Sequence, residues 1–332
     1  MDFLMPLVRA YALRRARLEP YDGGAPIIPP DPDTGQGGGG GTPGTGTGLL
    51  VGAAIDPPNL TAYQEANSTM GPWTCRRGFD SGGFASGGFT ASRSGVDVGR
   101  WASVWSGKPD PIQMASGALD SAARTFLAGI PDSHTAFVSI WHEADVKIKQ
   151  GSAPYTASQY KAAWRKFFTL VREAQATKPN LYGCLIFGSY SYISPKPGAT
   201  LDELWPGNGA DGRPYVDCVA YDGYSFTGSE TGEYMWGTGR QFADDHGVAW
   251  GIAEAGLTTD VTSGAAGAAW MQTQADYAAT HGAGPHSSAA FLCWFGSTVG
   301  GVLQTPQYYA ETRTRSGLIA QQYYTPYTSY RL

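Results

Sequence analysis

The sequence predicts a closed (β/α)8 barrel that begins near residue 49. Eight short apolar runs follow one another between residues 49 and 295, and amphipathic helical patterns separate most of the later ones. Alternating strand and helix patterns imply a parallel sheet, and eight such units close it. An open doubly wound sheet would place a phosphate-binding glycine turn after its first strand, and residues 52–60 hold none.

Leu49–Ile55 is a continuous apolar run stopped by Asp56-Pro57-Pro58, and it reads as a buried strand followed by a short helix over Leu60–Ala66. Trp73–Phe79 and Arg100–Ser106 are the second and third strands, separated by a Gly/Ser-rich stretch from Asp80 to Gly99. That stretch carries Gly-Gly-Phe twice and exceeds an ordinary connection, so its phenylalanines are candidates for the rim of a binding groove. Pro111–Gly129 has a helical pattern and Thr135–Trp141 is the fourth strand. Thr156–Thr177 is the clearest helix, with Tyr160, Trp164, Phe167, Phe168 and Val171 at three- and four-residue spacing. Strands follow at Leu181–Phe187, Val216–Tyr221, Val248–Ala253 and Ala289–Phe295. Helices follow at Gly232–Asp245, Ala265–Thr280 and Gln307–Gln322.

The composition narrows the function. Of 332 residues 42% are hydrophobic and only 15% charged, with a net charge of −5, which argues against nucleic acid as a partner, since phosphate binding needs a clustered basic surface. No run reaches the roughly 18 to 20 apolar residues that membrane insertion needs. Cys75, Cys184, Cys218 and Cys293 are too widely spaced for a disulfide scaffold or a CxxC zinc site, and they read as free, buried thiols. His134, His246, His281 and His286 show no ligand spacing and read as surface or turn residues, so neither a metal nor another cofactor is expected.

Two further segments precede the barrel. Residues 1–19 read as a short amphipathic helix, with Arg9, Arg14, Arg15 and Arg17 against Asp2, a docking peptide for a larger assembly. Residues 20–48 hold 17 Gly or Pro among 29 and read as a tether, stiff first and flexible later. The body, 49–332, is the barrel domain.

Chemistry in such barrels sits at the C-terminal ends of the strands. In order those ends carry Asp56, Arg76 or Arg77, Trp105, His142-Glu143, Ser189-Tyr190, Asp222-Gly223-Tyr224, Glu254 and Trp294. Glu143 and Glu254 directly terminate apolar runs, where an acidic group costs desolvation unless it is bonded or used. Opposed carboxylates across a cleft are the machinery of glycoside hydrolysis. Tryptophans at other strand ends offer flat faces for sugar rings, and Tyr, His, Asp and Arg offer hydrogen bonds to hydroxyls, as a neutral polyol would require.

With these residues the chain resembles the clan of retaining glycoside hydrolases built on (β/α)8 barrels, and within it glycoside hydrolase family 26. His142-Glu143 is similar to the family's acid/base motif, and Ile252-Ala253-Glu254-Ala255-Gly256 to the clan's nucleophile motif. Asp222-Gly223-Tyr224 resembles the strand-six segment whose Tyr holds the nucleophile, and Trp294 matches the strand-eight aromatic beneath the sugar. The family's usual Arg-Pro before the His-Glu pair is replaced here by Ser139-Ile140-Trp141, a departure from the mannan-cleaving pattern. The resemblance implies Glu254 as nucleophile and Glu143 as general acid and base. His142, Tyr224, Trp294, Asp222, Trp105 and Arg77 would then bind the polysaccharide. The tether and docking helix also look like those of enzymatic minor tail proteins of phages infecting actinobacteria. That likeness implies a virion tail acting at the host envelope, with tail proteins as partners of residues 1–18. The rival reading is a hydrolase-like barrel that binds glycan without cleaving it.

Overall fold

The computed structural model describes residues 48–55, 60–80, 82–92, 99–258, 264–296, 309–327 and 330–332. The docking-helix expectation for residues 1–19, the tether apart from Gly48, and Asp56 lie outside the described residues. Eight parallel strands close into a barrel in sequence order: β1 Leu50–Ile55, β2 Cys75–Phe79, β3 Ala102–Gly107, β4 Ala136–Ile140, β5 Leu181–Gly188, β6 Cys218–Ser225, β7 Ala249–Leu257 and β8 Phe291–Gly296. Closure is made by β1 and β8, paired from Leu50↔Phe291 to Ile55↔Gly296.

The helices are α1 Leu60–Met70, α2 Pro111–Ser116, α3 Asp120–Ala128, α4 Ala144–Lys149, α5 Ala157–Gln175, α6 Tyr190–Ile193, α7 Leu201–Leu204, α8 Gly232–Asp245, α9 Gly264–Thr280 and α10 Tyr309–Gln322. The single helix expected over 111–129 is two, because Gly117 takes a left-handed conformation at φ 83° and ends α2. The long α5 forms as its pattern implies. Thr156 and Gln159 cap it reciprocally, and Tyr160, Trp164, Phe167, Phe168 and Val171 are buried against the sheet. Each such burial contributes roughly 1.5–3 kcal/mol. Strands β6 and β7 each run four residues beyond the expected ends, through Ser225 and Leu257. Short α4, α6 and α7 were not foreseen.

Two apolar layers result. Inside the barrel lie Val104, Phe137, Ile186, Ala220, Phe291 and all four cysteines, which are free and buried as expected. Tyr330 joins them, its ring 5.9 Å from that of Phe137. Outside the sheet the helices cover a larger layer that contains Trp105, Trp164, Trp236, Trp250, Trp270 and Trp294.

Because side chains alternate faces along a strand, the inward cysteines set the parity of their neighbours. Trp105 and Trp294 fall on the outward face. The Gly-Gly-Phe segment also turns toward this layer: Phe84 stacks over Phe167 at 5.7 Å, and Phe89 is fully buried beside Phe126. Phe89 is core and Phe84 packs half-buried against it, where the sequence suggested a groove rim. His134 is likewise buried rather than superficial, sharing a hydrogen bond with Ser103 Oγ at 2.9 Å, and burial lowers its pKa to about 4.

Candidate active site

Alternation carries Arg77 from β2, Ser106 from β3, Asp222 and Tyr224 from β6, and Glu254 from β7 to the inside of the barrel's C-terminal end. Glu254 needs a special device to get there. Strict alternation would put it outward with Trp250 and Ile252, both in the helical layer. A bulge intervenes: Tyr221 pairs with Ile252, but Asp222 pairs with Glu254, so Ala253 is an extra residue. It returns Glu254 to the interior.

Glu143 arrives by a different route. It follows β4 at φ 56°, and Trp141 has φ 54°, so two non-glycine residues flank His142 in the left-handed region. Such conformations cost about 1–3 kcal/mol each and persist only where the surroundings enforce them. Here the Glu143 N–H donates to the Ile186 carbonyl at 2.9 Å. The Trp141 indole N–H donates to the Pro109 carbonyl. Asp145, at the start of α4, accepts the Gly188 N–H with both oxygens at 3.1 Å. This clasp ties the turn after β4 to the end of β5. A Cβ on Gly188 would stand 2.6 Å from Val146 Cγ2 and 3.9 Å from Glu143 Oε1, so β5 must be bare there.

The two glutamates have opposite environments. Tyr224 donates its hydroxyl to Glu254 Oε2 at 2.6 Å, and Arg77 Nη2 stands 3.7 Å from Glu254 Oε1. Arg77 is itself held by Ser106 Oγ at 2.6 Å and lies over the Phe79 ring at 4.2 Å. Burial pushes the Glu254 carboxyl up to about 7, while Arg77 and the Tyr224 hydrogen bond oppose it and Glu143 adds to it. Glu143 is 8% exposed, against 3% for Glu254, and its carboxyl makes no hydrogen bond to a described residue. Burial raises its pKa; Lys147, Arg77 and Lys108 work against the rise.

Around this pair, Asp222 is 1% exposed, and neither carboxyl oxygen has a hydrogen-bond partner among the described residues. Burial and the nearby Glu254 push its pKa well above the usual carboxylate range, which favours its neutral form. It neither anchors a loop nor reaches a ligand at the surface; it lies beside Glu254. Burial, with Arg77, Lys108 and Lys147, pushes the His142 pKa well below its ordinary value, so the imidazole is neutral. Its ring lies 5.1 Å from that of Phe79.

The structure therefore brings together Glu143, Glu254, His142, Tyr224, Asp222 and Arg77, and it excludes Trp105 and Trp294. Trp105 donates its indole N–H to Asp80 at 2.7 Å and meets Phe126 at 4.3 Å in the helical layer. Trp294 is fully buried, 6.4 Å from Trp270 of α9. The half-buried aromatics at the site are Phe79 of β2 and Phe295, the inward neighbour of Trp294 on β8. Phe79 meets the His142 ring at a tilt of 55°, and Phe295 meets Tyr224 edge-on at 5.7 Å. Both could have been found by counting two residues on from Arg77 and from the inward Cys293. Arg76 turns the other way, over Tyr63 of α1.

The eight-stranded parallel barrel is a fold shared with solved structures that include mannanases. The GH26C protein of Muricauda sp. MAR_2010_75 superposes with a TM-score of 0.54 at 12% identity, over 86% of this chain and 90% of that one. The Bacillus subtilis mannanase BCman superposes with a TM-score of 0.50 at 13% identity, over 83% and 85%. The Bacillus subtilis YdhT protein does so with a TM-score of 0.50 at 11% identity, over 86% and 88%. At these identities the likeness is one of fold. No family model and no curated protein matches the chain.

Proposed function

We propose that the barrel is a retaining glycoside hydrolase that cleaves a polysaccharide within the chain. One observation carries this reading above the rest: of two buried glutamates at the same barrel mouth, one is held by a cation and a phenol while the other is free to exchange a proton. In the first step Glu143, protonated, gives its proton to the glycosidic oxygen as Glu254 attacks the anomeric carbon. The C–O bond breaks, the shortened chain leaves as an alcohol, and a glycosyl ester forms on Glu254. In the second step Glu143, now a carboxylate, takes a proton from water. The resulting oxygen nucleophile attacks the same carbon and releases Glu254. Arg77 and Tyr224 favour the charged form of Glu254, as the first step needs, and burial, which favours the neutral form of Asp222, spares the site a second anion beside it.

Incubating the full chain with isolated bacterial envelope polysaccharides, beside E254Q and E143Q, tests this. Release of new reducing ends by the wild type and its loss in both variants is the expected result. Binding by all three with no release would leave only the reading of a glycan-binding barrel. The amphipathic, basic character of residues 1–18 and the Gly/Pro content of 20–48 support a further proposal: they anchor the barrel to a larger particle such as a phage tail, which would place it at the host envelope. Removing residues 1–22 would then abolish incorporation into particles while leaving the barrel folded, and unchanged incorporation would refute it.

A further inference from the structure

Two lysines at the mouth of the barrel make no ion pair among the described residues. Lys108 directly follows the last residue of β3. Lys147 lies one helical turn beyond Glu143, its backbone N–H donating to the Glu143 carbonyl at 3.1 Å. Both are half-buried. Neither ammonium makes a hydrogen bond or an ion pair with a described residue. Nearby lysines differ: Lys149 donates to the Tyr190 carbonyl at 3.2 Å, and Lys166 pairs with Asp120 at 2.8 Å.

Both lysines act on the reacting groups. Lys108 is within electrostatic reach of Glu143, Glu254, Arg77 and Lys147, and its own pKa is lowered by burial and then by repulsion from Lys147. The form that the proposed mechanism requires has Glu254 ionised and Glu143 protonated. Arg77 then balances Glu254, Asp222 is neutral, and two ammonium charges are left over in a partly desolvated cleft. They also oppose the first step, since Lys147 is the foremost charge lowering the Glu143 pKa. An anion placed between them would remove both penalties at once.

We infer that the cleft takes an anionic glycan, carrying a carboxylate or a phosphate on or next to the sugar at the scissile bond, with Lys108 and Lys147 as its counter-ions. This rests on the hydrolase reading and corrects the neutral polyol that the sequence suggested. The group belongs to the substrate, so it screens Lys147 only when a glycan is bound and lets Glu143 keep its proton until transfer.

The full-length E254Q protein serves as the binding probe in affinity electrophoresis through gels that contain polygalacturonate or alginate, a phosphodiester-linked teichoic acid, or neutral galactomannan. Retardation by an acidic polymer is expected. It should weaken about tenfold between about 50 mM and about 500 mM NaCl and by a similar factor in E254Q/K108M/K147M. Which acidic gel retards the protein distinguishes carboxylate from phosphate. E254Q/K108R/K147R, which keeps the charge, should bind like E254Q and separates loss of charge from loss of folding. Retardation by galactomannan that salt does not alter, retention by none of the acidic polymers, or unchanged binding in the Lys→Met variant overturns the inference. Wild type that binds an acidic polymer through these lysines without releasing reducing ends would sink hydrolysis and leave this inference standing. Salt-insensitive cleavage of galactomannan would do the reverse.

Discussion

Replacing Tyr224 by Phe removes one atom from the site and nothing from its shape. The lost contact is the 2.6 Å hydrogen bond to Glu254 Oε2, made inside the barrel mouth, where it favours the carboxylate form. A hydrogen bond to a charged group is worth about 1.5–3 kcal/mol, and each 1.36 kcal/mol is one pKa unit or a factor of ten. The sign follows from the donor. Without the hydroxyl the Glu254 anion is less favourable, so its pKa rises from about 7 by roughly one to two units. Because attack needs the anion, the acidic limb of kcat/KM should move up by the same amount. At pH 7, where Glu254 is about half ionised to begin with, kcat/KM should fall by about 5- to 50-fold. Reducing-end release on the polysaccharide identified in the envelope screen, measured from pH 4 to 9, reads both effects, and a melting curve checks folding. An acidic limb and a rate unchanged in Y224F would refute the assignment of Glu254 as nucleophile.

Three other outcomes follow from the structure. Asp222 has a folded-state pKa raised above its unfolded value, so the folded state holds a proton that the unfolded state loses, and stability falls as pH rises above about 4. D222N should therefore melt higher than the wild type at pH 8, with the difference shrinking toward pH 4; a constant difference would contradict the burial argument. Trp294→Ala should cost about 3–5 kcal/mol of stability through a cavity in the helical layer, whereas Phe295→Ala should leave the melting temperature nearly unchanged and weaken glycan binding. The reverse pattern would restore Trp294 to the site. Thr156→Ala should lower stability by about 1 kcal/mol through the lost cap of α5, seen as a melting shift of about 2–4 °C.

The barrel and its two glutamates were legible because uninterrupted apolar runs that end in a carboxylate have few other meanings. Which face a residue takes was harder to read. Trp105 and Trp294 stand at strand ends, as sugar platforms do, yet position along a strand says nothing about inward or outward direction. The small inward cysteines would have set that parity. Even parity fails at Glu254, since the bulge at Ala253 that turns it inward has no local signal in Ile-Ala-Glu-Ala. The left-handed turns at Trp141 and Glu143 are enforced by the Pro109 carbonyl and by β5, contacts made across the fold. Gly117, by contrast, sat in plain view as a helix terminator inside the 111–129 pattern. The Gly-Gly-Phe segment misled because its length suggested exposure, while Phe84 and Phe89 needed a core to fill.

The assignment of Glu254 and Glu143 to a double displacement is tested most directly by the configuration of the first product. Proton NMR of the new anomeric centre, recorded within the first turnovers and before mutarotation, should show the configuration of the bond that was cleaved. A product of opposite configuration would mean that water attacks directly, with Glu254 as a base, and would contradict the account.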